Sequence, residues 1–134
     1  MKKDIEYPVV KNVNVAIVPE QDDAGNLAWR VYLVNNNNFA LENTLVTSTG
    51  YGKKAGEKQK TSTIRQFLDT VPANEGMIIE SIAPEVFHLN NEYWVSYYVK
   101  GKMFDKKFIF LPDTIQEDNL VFIKTINKKG ILHS

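Results

Sequence analysis

Cysteine is missing altogether from this chain. Its absence removes a disulfide framework, thiolate metal sites and cysteine nucleophiles together. Histidine is nearly missing, with His88 and His133 the two present. They form no i, i+4 pair and no HxH arrangement, so a metal site would have to combine His88 with scattered carboxylates. Arginine is equally scarce, at Arg30 and Arg65 alone. A site that handles phosphates or carboxylates usually concentrates this forked donor. Charge of one sign is also lacking: the formal net charge is zero, which leaves no long-range field to draw in polyanions or an anionic membrane. No apolar run approaches the roughly 18 residues of a membrane span, and the opening Met1-Lys2-Lys3-Asp4 leads into none. A cytoplasmic protein without cofactor or metal is the simplest reading.

Helical periodicity is the last absence. No segment longer than a turn repeats every three or four residues, whereas alternation of apolar and polar residues recurs throughout. Val9 to Val18 alternates, with Val9, Val13, Val15 and Ile17 on one side and Asn12 and Asn14 on the other, until Pro19 stops it. Asp22, Asp23, Gly25 and Asn26 supply turn chemistry. Leu27 to Val34 alternates again, with Trp29, Val31 and Leu33 facing one side and Arg30 and Tyr32 the other, and Asn35 to Asn38 connect it onward. Leu41 to Tyr51, Thr61 to Leu68 and Met77 to Ile82 read as three further strands, with Lys53 to Lys60 a polar basic turn. Pro84 to Asn91 crosses over with one helical turn. Asp113 and Gln116 carry a helix-start signature with room for about one turn. Leu120 to Ile126 is a candidate eighth strand.

The densest aromatic run, Glu92 to Pro112, reads EYWVSYYVKGKMFDKKFIFLP. Two β-rich runs flank Lys100-Gly101-Lys102, the sequence form of a β-hairpin. A two-residue Lys100-Gly101 turn sets Tyr97 against Phe104 and Tyr93 against Phe108, leaving Trp94, Ser96 and Tyr98 with Lys107, Asp105 and Met103 on the other face. A three-residue turn would instead pair Trp94 with Phe108. The shorter turn suits the strand twist better. Either way Lys106 shares a face with large aromatics, so that face is not wholly buried or a bulge intervenes.

Together these features predict an all-β, antiparallel, immunoglobulin-like sandwich of seven or eight strands with at most one or two short helical turns. An OB-type barrel is the alternative. At 134 residues one domain spanning 1–134 is expected, with residues 127–134 a loose C-terminal tail.

Candidate chemistry is thin. Asp22 and Asp23 lack the alternate ligand spacing and closing glutamate of a calcium loop. The GYGKKAG run from Gly50 to Gly56 lacks the GKS or GKT ending of a phosphate loop and no helix follows it. Asp113, Glu117 and Asp118 read as solvated turn residues rather than an acid–base pair. Lys53, Lys54, Lys58 and Lys60 form the one basic patch, short of the roughly 6–10 phosphate contacts of a typical duplex binder. Trp94 and Tyr98, flanked by Lys107, could stack bases or sugars. The preferred reading packs them beneath Leu120 to Ile126, because large aromatics usually bury area.

Thr44–Gly52 (TLVTSTGYG), Lys60–Phe67 (KTSTIRQF), Asn90–Val99 (NNEYWVSYYV), Asp105–Ile115 (DKKFIFLPDTI) and Ile126–Leu132 (INKKGIL) together resemble a small family of uncharacterised bacterial proteins often labelled phenylalanyl-tRNA synthetase alpha subunit. The resemblance covers nearly the whole chain but carries no catalytic residue. No synthetase activity is expected from a chain this short, with two arginines and no helical scaffold. The expected function is non-enzymatic: contact with a protein partner or a second copy through a sheet face or edge. The alternative is accessory RNA or single-stranded nucleic acid binding by Trp94, Tyr98 and Lys107 with the lysines of residues 53–60. An enzyme would need Arg65, His88 and a carboxylate to converge in one cleft.

Overall fold

A computed structural model describes residues 8–134, and the polar lead-in read at residues 1–7 lies outside the described residues. The alternation seen in the sequence becomes two antiparallel sheets packed face to face. The strands are β1 (Val13–Gln21), β2 (Leu27–Asn35), β3 (Leu41–Lys54), β4 (Glu57–Lys60), β5 (Ile64–Val71), β6 (Glu75–Ile82), β7 (Asn90–Val99), β8 (Lys102–Phe110), β9 (Val121–Ile123) and β10 (Lys128–His133). One sheet runs β6-β2-β1-β10-β9 and the other β4-β3-β7-β8, with β5 paired alongside β3. The chain changes sheets between β2 and β3, β5 and β6, β6 and β7, and β8 and β9, the Greek-key wiring of an immunoglobulin-like sandwich. The inner rows supply the core: Val15, Ile17, Val31 and Leu33 from one sheet meet Val46, Tyr93, Val95 and Phe108 from the other.

The all-β sandwich stands as expected, with ten strands rather than seven or eight. Part of the surplus is the supposed basic turn. Residues 53–60 form a hairpin instead, Lys53 opposite Lys58 and Lys54 opposite Glu57. Ala55 and Gly56 close it with positive φ at both positions, the turn that matches strand twist. The rest is the C-terminus. Lys128–His133 is not a loose tail: β10 pairs with β9 on one side and, through Ile131 to His133, with β1 on the other. The tail reading failed because a lysine-rich segment with one glycine resembles a fraying end, while its apolar partners lie more than a hundred residues earlier. Gly130 is required there, since a Cβ would meet Val18 Cγ2 at 2.8 Å and the Ile17 carbonyl oxygen at 3.0 Å.

Smaller differences have local causes. Val9 is exposed rather than inward, because Asn12 turns left-handed (φ +57°) just before β1 starts. Pro19 does not stop β1. The strand runs through it to Gln21, and β10 pairs only with Val15–Ile17, so at Pro19 the side away from β2 has no strand to receive an N–H. Three 3-10 turns occur, at Pro84–Val86, Glu117–Asn119 and Lys124–Ile126, one more than expected. Asp113 caps no helix; it sits at φ +61° and donates its N–H to the Phe87 carbonyl at 2.9 Å. Leu120 to Ile126 forms only three residues of strand before the last 3-10 turn. Ile123 and Ile126 from this segment cover Ala16, Val18, Tyr32 and Val34 on the outer face of the β1–β2 sheet, making a second, smaller core.

A C-terminal strand integral to the fold makes Gly130→Ala destabilising, by about 1–3 kcal/mol as for other overpacked sites. Urea unfolding should show the lowered midpoint, with exposed Lys129→Ala within about 0.5 kcal/mol of wild type. Equal midpoints for G130A and wild type would restore the loose tail.

Candidate functional site

The β7–β8 hairpin adopts the two-residue turn. Lys100 (φ +51°) and Gly101 (φ +74°) close it, Tyr93 pairs with Phe108, and Tyr97 with Phe104. No register shift interrupts the ladder, so the half-buried Lys106 does face inward at the edge of the sandwich. Its ammonium lies 5.0 Å from the centre of the Phe108 ring, where the negative ring face offsets some lost hydration. The inner face otherwise carries the buried side chains of Tyr93, Val95, Tyr97 and Phe108. Tyr97 stacks on Phe104 with ring centres 5.3 Å apart, and burial pushes its phenol up to about 12.

Trp94 and Tyr98 therefore point outward. The expectation that they pack beneath Leu120 to Ile126 is wrong, because that segment lies on the outer face of the opposite sheet. Trp94 is 45% exposed and Tyr98 37%, against 8% for Trp29. Antiparallel pairing sets out their neighbours row by row, since directly opposed residues share a face. Trp94 lies between Lys107 on β8 and Thr47 on β3, and Thr47 pairs with Arg65 on β5. The Lys107 ammonium sits 4.8 Å from the Trp94 ring centre. One row away lie Phe67, Leu45, Ser96 and Asp105; beyond Ser96 come Tyr98, Glu42 and Met103. Phe67 and Met103 are exposed as well.

In the other direction the same face continues through Thr49 and Glu92 to Tyr51, whose hydroxyl donates to Glu92 at 3.3 Å. Partial burial, with the Glu92 carboxylate beside it, raises the Tyr51 phenol above its usual range. Tyr51 pairs with Lys60, and Lys53 with Lys58, so three of the four lysines of the basic patch extend this face; Lys54 alternates to the other side. All four are exposed.

The sequence reading thus names Trp94, Tyr98, Lys107, Lys53, Lys58 and Lys60 on what proves one continuous surface. It misses Phe67 and Arg65, which join only when β5 pairs with β3. His88 lies elsewhere, its Nε2 2.8 Å from Gln59 Oε1. The cleft between the sheets is lined by Glu80 but by neither Arg65 nor His88. Among the described residues no group of three His, Asp or Glu side chains is placed to hold a metal ion.

Comparison with protein-family models, with curated proteins and with solved structures finds no match to this chain.

The two tryptophans should separate in quenching. Trp94→Phe should remove most of the acrylamide-accessible fluorescence and leave the shielded emission of Trp29. With Lys107 over the indole, iodide should quench Trp94 more than caesium does, and Lys107→Gln should narrow that difference. Equal quenching of wild type and W94F would mean that Trp94 is covered.

Proposed function

We propose that this chain is a non-catalytic binding module that docks through the outer face of the β5-β3-β7-β8 sheet onto a protein surface, foremost a second copy of itself. The observation that carries the reading is the exposure of Trp94, Tyr98, Phe67 and Met103 on one face. Contiguous exposed apolar side chains mark interaction surfaces, and aromatics, Met and Arg are the residue types that interface cores favour. Both charge signs rim them: Arg65 and Lys107 beside the indole, Glu42, Glu92 and Asp105 in adjoining rows. Such a face can meet its own two-fold copy with opposite charges opposed, and a net charge of zero leaves no long-range repulsion between copies. The edge of β8, unpaired among the described residues, is a poorer candidate. It carries Lys102, Lys106 and Lys107, and an inward-pointing lysine is a common guard against strand addition.

Light scattering across a concentration series tests this. A mass near twice the chain's is expected at high concentration. The double substitution Trp94→Ala, Phe67→Ala should weaken association by about 30-fold or more, as loss of a central aromatic anchor does. A monomer at every concentration defeats the self-association reading.

Single-stranded nucleic acid binding is the second reading, favoured by Lys107 stacked on Trp94 and by Lys53, Lys58 and Lys60 sharing its face. The interleaved Glu92 and Asp105 count against a polyanion. Titration with a short RNA at two salt concentrations separates the readings. Binding to phosphates would quench Trp94 and weaken steeply with salt, by about 0.7 in the log–log slope per contact. Unchanged fluorescence at low salt ends this reading.

A further inference from the structure

Glu80 is a carboxylate on the inner face of a sandwich, where apolar residues belong. It pairs with Val31, while the next residue of β2, Tyr32, pairs with Ile78, so Ile79 is the extra residue of a β-bulge. The bulge turns buried Ile79 and half-buried Glu80 toward the opposite sheet together, and bulges commonly re-aim a side chain at a site. Ser48 Oγ on β3 donates to Glu80 Oε1 at 2.9 Å and the Tyr93 hydroxyl on β7 donates to Oε2 at 3.0 Å. The Tyr93 phenol is held well above its usual range by burial first, then by the charge of Glu80 and this hydrogen bond.

Glu80 lines a cleft of about 320 Å3 between the sheets, together with Thr61, Ser62, Ser81 and Asn91. The ion pairs among the described residues both belong to Glu20, so neutral hydroxyls alone answer the charge of Glu80. A carboxylate offers about four acceptor positions, and two are used. A half-buried anion without a counter-charge stands to gain from a cation. One carboxylate among neutral oxygens is a poor donor set for a metal ion. A guanidinium binds best by pairing with both carboxylate oxygens at once, and each of these already accepts one hydrogen bond, from Ser48 and from Tyr93. A tetrahedral ammonium can join the remaining acceptor positions to nearby serine and threonine oxygens.

We infer that the cleft at Glu80 binds a small primary ammonium compound, with its NH3+ group on the Glu80 carboxylate and its other polar groups on the surrounding hydroxyls. The lining of the cleft includes none of Trp94, Tyr98, Phe67 and Met103, the apolar residues of the outer sheet face. Glucosamine and its neutral counterpart glucose are the probes, followed at millimolar concentration by amide chemical shifts of the full chain. Glucosamine should shift residues of β3 and β6 around the cleft, and glucose should bind at least about tenfold more weakly. Glu80→Gln, which keeps the volume and one acceptor, should weaken glucosamine by about tenfold or more, the scale of a lost charge-assisted hydrogen bond. Ser62→Trp at the exposed rim should block it without touching the core, and Trp94→Ala should leave it unchanged. Equal binding of glucose, undiminished binding by E80Q or by S62W, or no shifts with wild type would each overturn the inference.

Discussion

The meeting of two inward rows of side chains is the constraint on which everything else depends. Val15, Ile17, Val31 and Leu33 on one sheet can leave water only against Val46, Tyr93, Val95 and Phe108 on the other. Strand side chains alternate with period two, so committing these residues inward commits their neighbours outward. Trp94 is exposed because Tyr93 and Val95 are buried. A one-residue slip in the β7–β8 hairpin would exchange the two sets, and the Lys100-Gly101 turn sets the register that avoids it.

The two outer faces are treated differently. On the β1–β2 sheet, Ala16, Val18, Tyr32 and Val34 are too apolar to face water and are roofed by Ile123 and Ile126. Polar contacts at the rim hold that roof: Lys128 Nζ lies 3.3 Å from Glu20 Oε1, and Tyr32 donates to Glu20 Oε2 at 2.5 Å. The phenol of Tyr32 is raised by burial chiefly and by Glu20 in addition. Exposed ion pairs contribute little, so the two isoleucines supply most of the attachment. The outer face of the other sheet alternates aromatic residues with Thr, Ser, Lys, Arg, Glu and Asp, a mixture that tolerates water and still offers apolar anchors.

Polar groups inside the sandwich are few, and most are met by partners; among the described residues the buried Thr44 hydroxyl is the exception. Asn35 is fully buried at the end of β2, and its amide nitrogen donates to the carbonyls of Phe39 at 2.9 Å and Pro72 at 3.0 Å. Its Oδ1 accepts from the Asn37 backbone N–H at 3.0 Å, so one side chain organises the crossing from one sheet to the other. The asparagine run read as a turn in the sequence is thus also a structural junction. Glu80 is the contrasting case, a charged group brought inward by a bulge and answered only by two hydroxyls.

Much was legible in the chain alone. Alternation over Val13–Val18, Leu27–Val34 and Tyr93–Phe110 determined the all-β class and most inward residues, and Gly101 determined the hairpin register, because period and turn chemistry are local properties. The exposed face was half legible: the hairpin alternation grouped Trp94 with Tyr98, but exposure depends on what packs above, which no local pattern encodes. Only the tertiary structure decided that the C-terminal strand joins β1, that Ile123 and Ile126 roof the opposite sheet, that Phe67 and Arg65 share a face with Trp94, and that a bulge turns Glu80 inward. Each of these comes from a pairing between strands distant in sequence, and a partner that far away leaves no mark on the residues next to it.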